Sequence, residues 1–178
     1  NNQAAFQAQI HLWLREPDLA RRNFVGLLNH AAPVYVWREE QPLRGSASAR
    51  QQGDMPHISA TSEMVRYLRH MLALEVDTEL RLLQGIGDLE LSSGEPFQIV
   101  ASPTRFGRIS LALEPEAGVG TWRLRFRRDR GPVPSSVELP LRLGGKLKFD
   151  AVNGAPFKVE NGRVQVAPEA AAWTAVWR

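Results

Sequence analysis

The stretch Ser62–Leu83, SEMVRYLRHMLALEVDTELRLL, marks a change in the period of the apolar residues. Its first part carries an apolar stripe at helical spacing, formed by Met64, Val65, Leu68, Met71 and Leu72. This stripe predicts an amphipathic helix that continues to about Glu75. After Asp77 the period falls to two, which is typical of strands. The sequence therefore predicts an α+β chain, with helices in residues 1–78 and a β domain in residues 79–178.

Two more helices are predicted upstream of this stretch. Residues 3–15 carry apolar side chains at helical spacing, namely Phe6, Ile10, Trp13 and Leu14. Glu16-Pro17-Asp18 ends this helix and begins another, since proline suits a first helical turn. The second pattern runs to about His30. The chain has no initiator methionine and begins within a helical pattern, so we expect it to be a segment of a longer polypeptide.

Downstream, eight segments have the period of strands: Leu80–Leu83, Phe97–Val100, Arg108–Leu113, Thr121–Arg127, Val137–Leu143, Lys146–Ala151, Arg163–Val166 and Trp173–Trp177. Turn signals such as Asn153-Gly154 and Asn161-Gly162 separate them. Short, evenly spaced strands predict an antiparallel sandwich. Three tryptophans in these strands, Trp122, Trp173 and Trp177, offer flat faces on which a sugar would stack. Their alternating positions favour a place in the core instead.

The composition excludes several kinds of site. Among 178 residues, 43% are hydrophobic, which is enough for a sizeable core, and none is cysteine, so disulfides and thiolate metal sites are excluded. No pair of His, Asp or Glu residues has a recognised metal-ligand spacing, and neither a metal nor a cofactor is predicted. No apolar run reaches the roughly 18 residues of a membrane span, so no membrane partner is predicted. The composition does not fix the compartment.

A basic run, Arg123–Arg130, contributes to the net charge of +3. Such runs bind nucleic acid or anionic surfaces in many proteins. Here the arginines alternate with Trp122, Leu124 and Phe126, which is typical of a strand with one solvated face. No nucleic-acid motif accompanies the run, so no nucleic-acid partner is predicted.

The polar segment between the second and third helices gathers groups that can carry out acid–base chemistry. Glu39 and Glu40 follow Trp37, and an imidazole, His57, stands just before the third helix. In an extended chain adjacent carboxylates point in opposite directions, so only one of them faces a given pocket. Apolar surroundings such as an indole favour the raised pKa that a carboxylic acid needs for acid–base work. The alternatives are solvated surface charges and a structural histidine.

Three segments together resemble the end of the helical barrel in (α/α)6 six-hairpin glycoside hydrolases. They are Trp37–Pro42, Gly53–His57 and Ser62–Leu72. Three others resemble parts of the C-terminal β-sandwich of such enzymes: Glu79–Ile86, Ser102–Gly107 and Val152–Gly154. The resemblance covers nearly the whole chain but only the C-terminal part of the enzyme. It implies the last helices of an (α/α)6 barrel followed by a C-terminal antiparallel β-sandwich.

The resemblance also implies roles for individual residues. In the related α-L-rhamnosidases, a Trp-Glu pair in the corresponding loop supplies the general base, and a His-bearing turn before the next helix lines the sugar pocket. This implies Glu39 or Glu40 as the base, with Trp37, Asp54 and His57 as substrate-binding residues. An arginine separates Trp37 from the two acids in this sequence, so the base is either of them.

The implied function is the C-terminal segment of an inverting glycosidase, to which it supplies the base loop and a β-sandwich. Inverting enzymes use two carboxylates about 6.5–9.5 Å apart, and in this family the acid lies upstream. We therefore expect a carbohydrate substrate and the upstream part of the same enzyme as partners, and no activity from the chain alone. The alternative is a non-catalytic carbohydrate-binding or structural β-sandwich module.

Overall fold

The structure is a computed structural model, which describes residues 2–29, 56–116 and 120–178. The chain divides into two compact units, Asn1–His70 and Met71–Arg178. The first unit contains helices, and the second contains two β-sheets. The sequence predicts a boundary between residues 78 and 79, and the units divide between residues 70 and 71. Residues 73–76 belong with the sheets because they form a strand.

Three helices are described in the first 72 residues: α1 (Asn2–Trp13), α2 (Pro17–Leu28) and α3 (Ile58–Leu72). A left-handed residue, Arg15 with φ 65°, ends α1. The N–H groups of Arg15 and Glu16 donate to the carbonyls of Leu12 and His11, at 3.1 and 2.8 Å. This pair of bonds is a Schellman motif, and Pro17 then begins α2 as its position predicts. In the described ranges, no helix is long and apolar enough to cross a membrane.

The helices of the first unit meet through small and aromatic side chains. Ala5 and Ala8 of α1 and Ala20 of α2 are fully buried. Phe24 of α2 stacks on Tyr67 of α3 with ring centroids 4.2 Å apart. Small side chains let helix axes approach closely, which explains why alanines occupy the contact face of α1.

The apolar stripe that the sequence predicts for α1 lies on a different face of the helix from these alanines. Phe6, Trp13 and Leu14 are 49%, 48% and 61% exposed. On α3, likewise, Val65 and Leu68 are exposed, although Met64, Met71 and Leu72 of the same predicted stripe are buried. In the first unit, apolar side chains on one face of α1 and one face of α3 are therefore exposed to solvent. The sequence pattern alone assigns these residues to a core.

Among its described residues, the second unit contains eleven strands and one short helix, α4 (Asp88–Ser92). In chain order the strands are β1 (Ala73–Val76), β2 (Glu79–Leu82), β3 (Phe97–Thr104), β4 (Gly107–Pro115), β5 (Trp122–Arg128), β6 (Ser136–Pro140), β7 (Arg142–Leu143), β8 (Leu147–Asn153), β9 (Phe157–Glu160), β10 (Arg163–Val166) and β11 (Ala172–Trp177). The five-stranded sheet has the order β1-β2-β6-β10-β9, and the six-stranded sheet has the order β3-β4-β5-β11-β8-β7. Neighbouring strands are antiparallel, apart from the parallel pair β2 and β6.

Alternate residues of both sheets form the core. In β5, Trp122, Leu124 and Phe126 are buried, whereas Arg125 and Arg127 are exposed. The last strand, β11, lies between β5 and β8, and its Trp177 is 0% exposed. This burial of one face in strands such as β4 and β5 confirms the prediction of an α+β chain with a β-sandwich-like region.

The third helix is shorter than the sequence predicts. It ends at Leu72, and Ala73–Val76 form β1 instead of continuing to Glu75 as a helix. Val76 pairs with Glu79 across a two-residue turn in which Asp77 has φ 50°. Pairing with β2 buries Leu74 completely. This cross-strand packing outweighs the helical propensity of the segment.

The sequence pattern also misses β9. It pairs with β10 across Asn161-Gly162, whose φ values of 49° and 72° are those of a type I′ turn. All four residues of β9 are exposed. A strand without a buried face leaves a weak hydrophobic signal, although its turn is evident from the sequence.

Candidate functional site

Four of the five predicted site residues, Trp37, Glu39, Glu40 and Asp54, lie outside the described residues. His57 is therefore the predicted site residue whose surroundings are seen. Its position just before α3 agrees with the expected turn that opens a helix.

His57 is the residue that caps α3. Its carbonyl oxygen accepts hydrogen bonds from the N–H and from the Oγ1 of Thr61, both at 3.2 Å. The ring is half-buried, and its Nδ1 is buried without a hydrogen-bond partner in the described part of the chain. A buried polar atom without a partner costs about 1–3 kcal/mol. Among the described residues, the Nδ1 of His57 therefore remains a buried polar atom without a partner.

A polar contact that sequence reasoning missed lies between α1 and α3. Gln9 is 3% exposed, and its Nε2 donates to Oε2 of Glu63 at 2.6 Å. Glu63 also pairs with Arg66 at 3.2 Å. Gln9, Glu63 and Arg66 do not form a recognised sequence motif. The one sequence feature that indicates the contact is the position of Gln9 among the apolar residues of α1. The contact fixes α1 against α3 within the first unit.

The three tryptophans of the sandwich belong to the core, as their alternation predicts. Trp122, Trp173 and Trp177 are 5%, 4% and 0% exposed. Trp173 stacks on Phe126 at 4.8 Å, and Nε1 of Trp177 donates to the carbonyl of Pro140 at 3.0 Å. Their faces are covered by protein, so these rings do not form a sugar platform.

The basic run has the solvated face that its alternation predicts, and three of its five arginines are paired with carboxylates. Three arginines of β5 pair with carboxylates: Arg123 with Glu116, Arg125 with Glu114, and Arg127 with Asp129. The local excess of positive charge is therefore much smaller than the sequence suggests. Long-range attraction of polyanions depends on that excess.

The fourth arginine of the strand, Arg128, is buried and has a structural role. It is 7% exposed, and in the described part of the chain its partners are carbonyl oxygens. Nη1 donates to Phe106 and Pro132 at 3.1 and 3.2 Å, and Nη2 donates to Pro168 at 3.1 Å. One guanidinium thereby joins three loops at one end of the sandwich.

An open cleft of about 390 Å³ lies where β6 and β9 begin and β10 ends. Ser136, Lys158 and Gln165 line it, over a floor that includes Ala167. Oγ of Ser136 is buried and has no hydrogen-bond partner in the described ranges. Lys158 is paired with Glu160 at 2.7 Å. The size falls within the range of small-molecule sites, and the lining offers a hydroxyl and an amide to a polar molecule.

The described ranges contain no group of three or more His, Asp or Glu side chains that is arranged to hold a metal ion. The single histidine of the predicted site, His57, is thus not part of a ligand cluster among these residues. Comparisons with known protein families, curated proteins and solved structures find no match to this chain.

Proposed function

We propose that this chain is the C-terminal segment of an inverting glycoside hydrolase of the six-hairpin (α/α)6 type. In this proposal the segments Trp37–Pro42 and Gly53–His57 supply the base loop, the helices contribute to the barrel wall, and the second unit is the C-terminal β-sandwich. The resemblance of Trp37–Pro42 and Gly53–His57 to such enzymes supports the chemistry. The order of helices followed by a sandwich-like unit supports the architecture.

The exposed apolar faces of the helices carry the proposal furthest. Apart from His11, α1 contains no ionisable side chain, and it exposes Phe6 and Trp13. On α3, Ile58, Val65 and Leu68 are 82%, 63% and 49% exposed. Contiguous exposed apolar residues indicate a surface that another element covers. Neighbouring barrel helices from an upstream segment are the covering elements in this proposal.

The chemistry assigned to the segment is half of an inverting mechanism. Glu39 or Glu40, as carboxylate, removes a proton from water as the water attacks the anomeric carbon. An acid from the upstream segment protonates the leaving oxygen. Trp37 lies against the sugar and, by excluding water, favours the base role of the neighbouring acid. Asp54 and His57 hold sugar hydroxyls, and the Nδ1 of His57, which has no hydrogen-bond partner among the described residues, supports that role.

The proposal makes the isolated chain inactive, because the acid and most of the pocket wall lie upstream. The reading frame of the gene that encodes the chain tests the proposal. We expect several hundred residues with a helical pattern before Asn1. The longer product is expected to hydrolyse aryl glycosides, and the 178-residue chain is not. An upstream frame with no helical pattern, or hydrolysis by the chain alone, contradicts the proposal.

The alternative, a non-catalytic carbohydrate-binding or structural β-sandwich module, rests on the second unit. Its strongest sequence feature was the set of three tryptophans, and these are buried. Isothermal titration with a panel of neutral oligosaccharides separates the two functions. Saturable binding that survives the loss of both Glu39 and Glu40 favours a binding module over the catalytic segment.

A further inference from the structure

The two edges of the five-stranded sheet are β1 and β9, and β9 has an open outer side. It pairs with β10 on one side only, among the described residues. The N–H of Ala167 donates to the carbonyl of Pro156 at 2.9 Å, so the main-chain groups of Pro156 face β10. Main-chain direction alternates along an antiparallel strand. The N–H and C=O groups of Phe157 and Val159 therefore point outward, where they are ready to pair with another strand.

The apolar side chains of β9 are only partly covered, although the ring of Phe157 meets that of Phe149 in β8 edge-on, with ring centroids 5.4 Å apart. Phe157 and Val159 share a face with the buried Val166 and Val164 of β10, which they oppose in the register. These two residues nevertheless remain 43% and 52% exposed. The strand is short, follows Pro156 and carries Lys158 and Glu160, which are features that restrict pairing at an open edge. Its outward-pointing main-chain groups nevertheless belong to the apolar residues Phe157 and Val159, whereas the edge strand β3 of the other sheet carries a bulge and Pro103.

The outer face of β9 carries one charge of each sign. Lys158 and Glu160 pair with one another at 2.7 Å and are 64% and 49% exposed. The β9 strand of a second copy of the chain complements this charge pattern when it runs antiparallel and its Val159 lies opposite Val159 of the first copy. Lys158 of each copy then faces Glu160 of the other, and the main-chain groups of the two Val159 residues bond to each other.

We propose that β9 is a self-pairing edge, through which two copies of this chain associate about a two-fold axis. The five-stranded sheets of the two copies then form one continuous sheet. The neighbouring register places Lys158 opposite its own copy and is disfavoured by like-charge repulsion. The two-fold arrangement is closed, so it gives a dimer and no longer assembly. This inference stands on the second unit alone and does not depend on the proposed catalytic function.

Sedimentation velocity of the full chain over a range of concentrations tests the pairing. We expect a monomer–dimer equilibrium. Lys158→Glu places like charges in two symmetry-related pairs and is expected to raise the dimer Kd roughly 10-fold or more. Glu160→Lys has the same effect, and the double reversal Lys158→Glu with Glu160→Lys restores a Kd within about three-fold of the original. A matched control is Lys146→Glu, whose lysine pairs with Asp88 at 2.7 Å with similar exposure and is expected to leave the Kd unchanged.

Amide hydrogen exchange supplies a second measurement that does not rely on substitution. The amide of Val159 points outward and is expected to gain protection as the concentration rises, whereas the amide of Lys158 is bonded to β10 at all concentrations. A chain that stays monomeric up to millimolar concentration overturns the proposal. Association that neither charge reversal weakens also overturns the proposal. That result is expected if the copies associate through the exposed helix faces of the first unit instead. Failure of the double reversal to restore pairing overturns it as well.

Discussion

Replacement of Arg128 by methionine tests how the loops at one end of the sandwich are held. The side chain is 7% exposed and donates to the carbonyls of Phe106, Pro132 and Pro168. Methionine fills much of the same volume but donates no hydrogen bond. The substitution therefore separates the three charge-assisted bonds from simple packing.

Two opposing effects set the magnitude. Hydrogen bonds to a charged group contribute about 1.5–3 kcal/mol each, and a buried acceptor without a donor costs about 1–3 kcal/mol. Phe106 is 3% exposed, so its carbonyl stays unsatisfied, whereas the exposed Pro132 regains water. Removal of a buried charge without a carboxylate partner recovers part of its desolvation cost. We expect Arg128→Met to lower the free energy of unfolding by about 2–3 kcal/mol in total.

Thermal and urea unfolding measure this change, with fluorescence from the three buried tryptophans of the sandwich as the signal. A loss of this size lowers the Tm by roughly 5–15 °C for a domain of this length. Arg127→Met is the control, because Arg127 is 76% exposed and pairs with Asp129 at 3.5 Å. That change is expected to stay within about 0.5 kcal/mol. Equal effects from both substitutions refute the assigned role of Arg128.

Three further substitutions test packing in the two units, each read from urea unfolding. Gly85→Ala places a Cβ 2.7 Å from Cα of Met71 and is expected to cost about 1–3 kcal/mol. Gly26→Ala, inside α2, adds a Cβ that meets no atom within 4 Å and is expected to raise the free energy of unfolding by about 0.5–1 kcal/mol. A loss of stability in both glycine variants contradicts the packing argument. Gln9→Ala removes the bond to Glu63 and is expected to cost about 1–2 kcal/mol, whereas no loss shows that water replaces the amide.

Sequence patterns predict most of the sandwich because one face of its strands is buried. The period of two in Trp122–Arg128 is visible in the residue types, and the structure buries the predicted face. The same logic fails for Phe157–Glu160, where the strand is exposed on both faces. At Ala73–Val76 the apolar residues continue a helical stripe, and only pairing with β2 makes the segment a strand. The pattern of residue types does not show this pairing, although the partner strand follows directly after a two-residue turn.

The first unit shows a second limit of periodicity. The pattern identifies an apolar face on α1 by the large residues Phe6 and Trp13, whereas the contact with α2 uses Ala5 and Ala8. Size rather than hydropathy decides which face packs when axes approach closely. Of the five predicted site residues, the described ranges include His57, whose place before α3 agrees with the sequence, and the other four stay predictions. The contact between Gln9 and Glu63 depends on tertiary geometry and could not be predicted.

The most direct test of the proposed function is the turnover of the longer enzyme with Glu39→Gln and Glu40→Gln made separately. Initial rates on an aryl glycoside are compared with the unaltered enzyme under single-turnover conditions. General-base assistance contributes about 10²–10⁴-fold, so one of the two variants is expected to lose at least that lower factor in rate. The other is expected to stay near the original rate, because adjacent residues of an extended segment face opposite sides. Near-original rates in both variants contradict the assignment of the base to this loop.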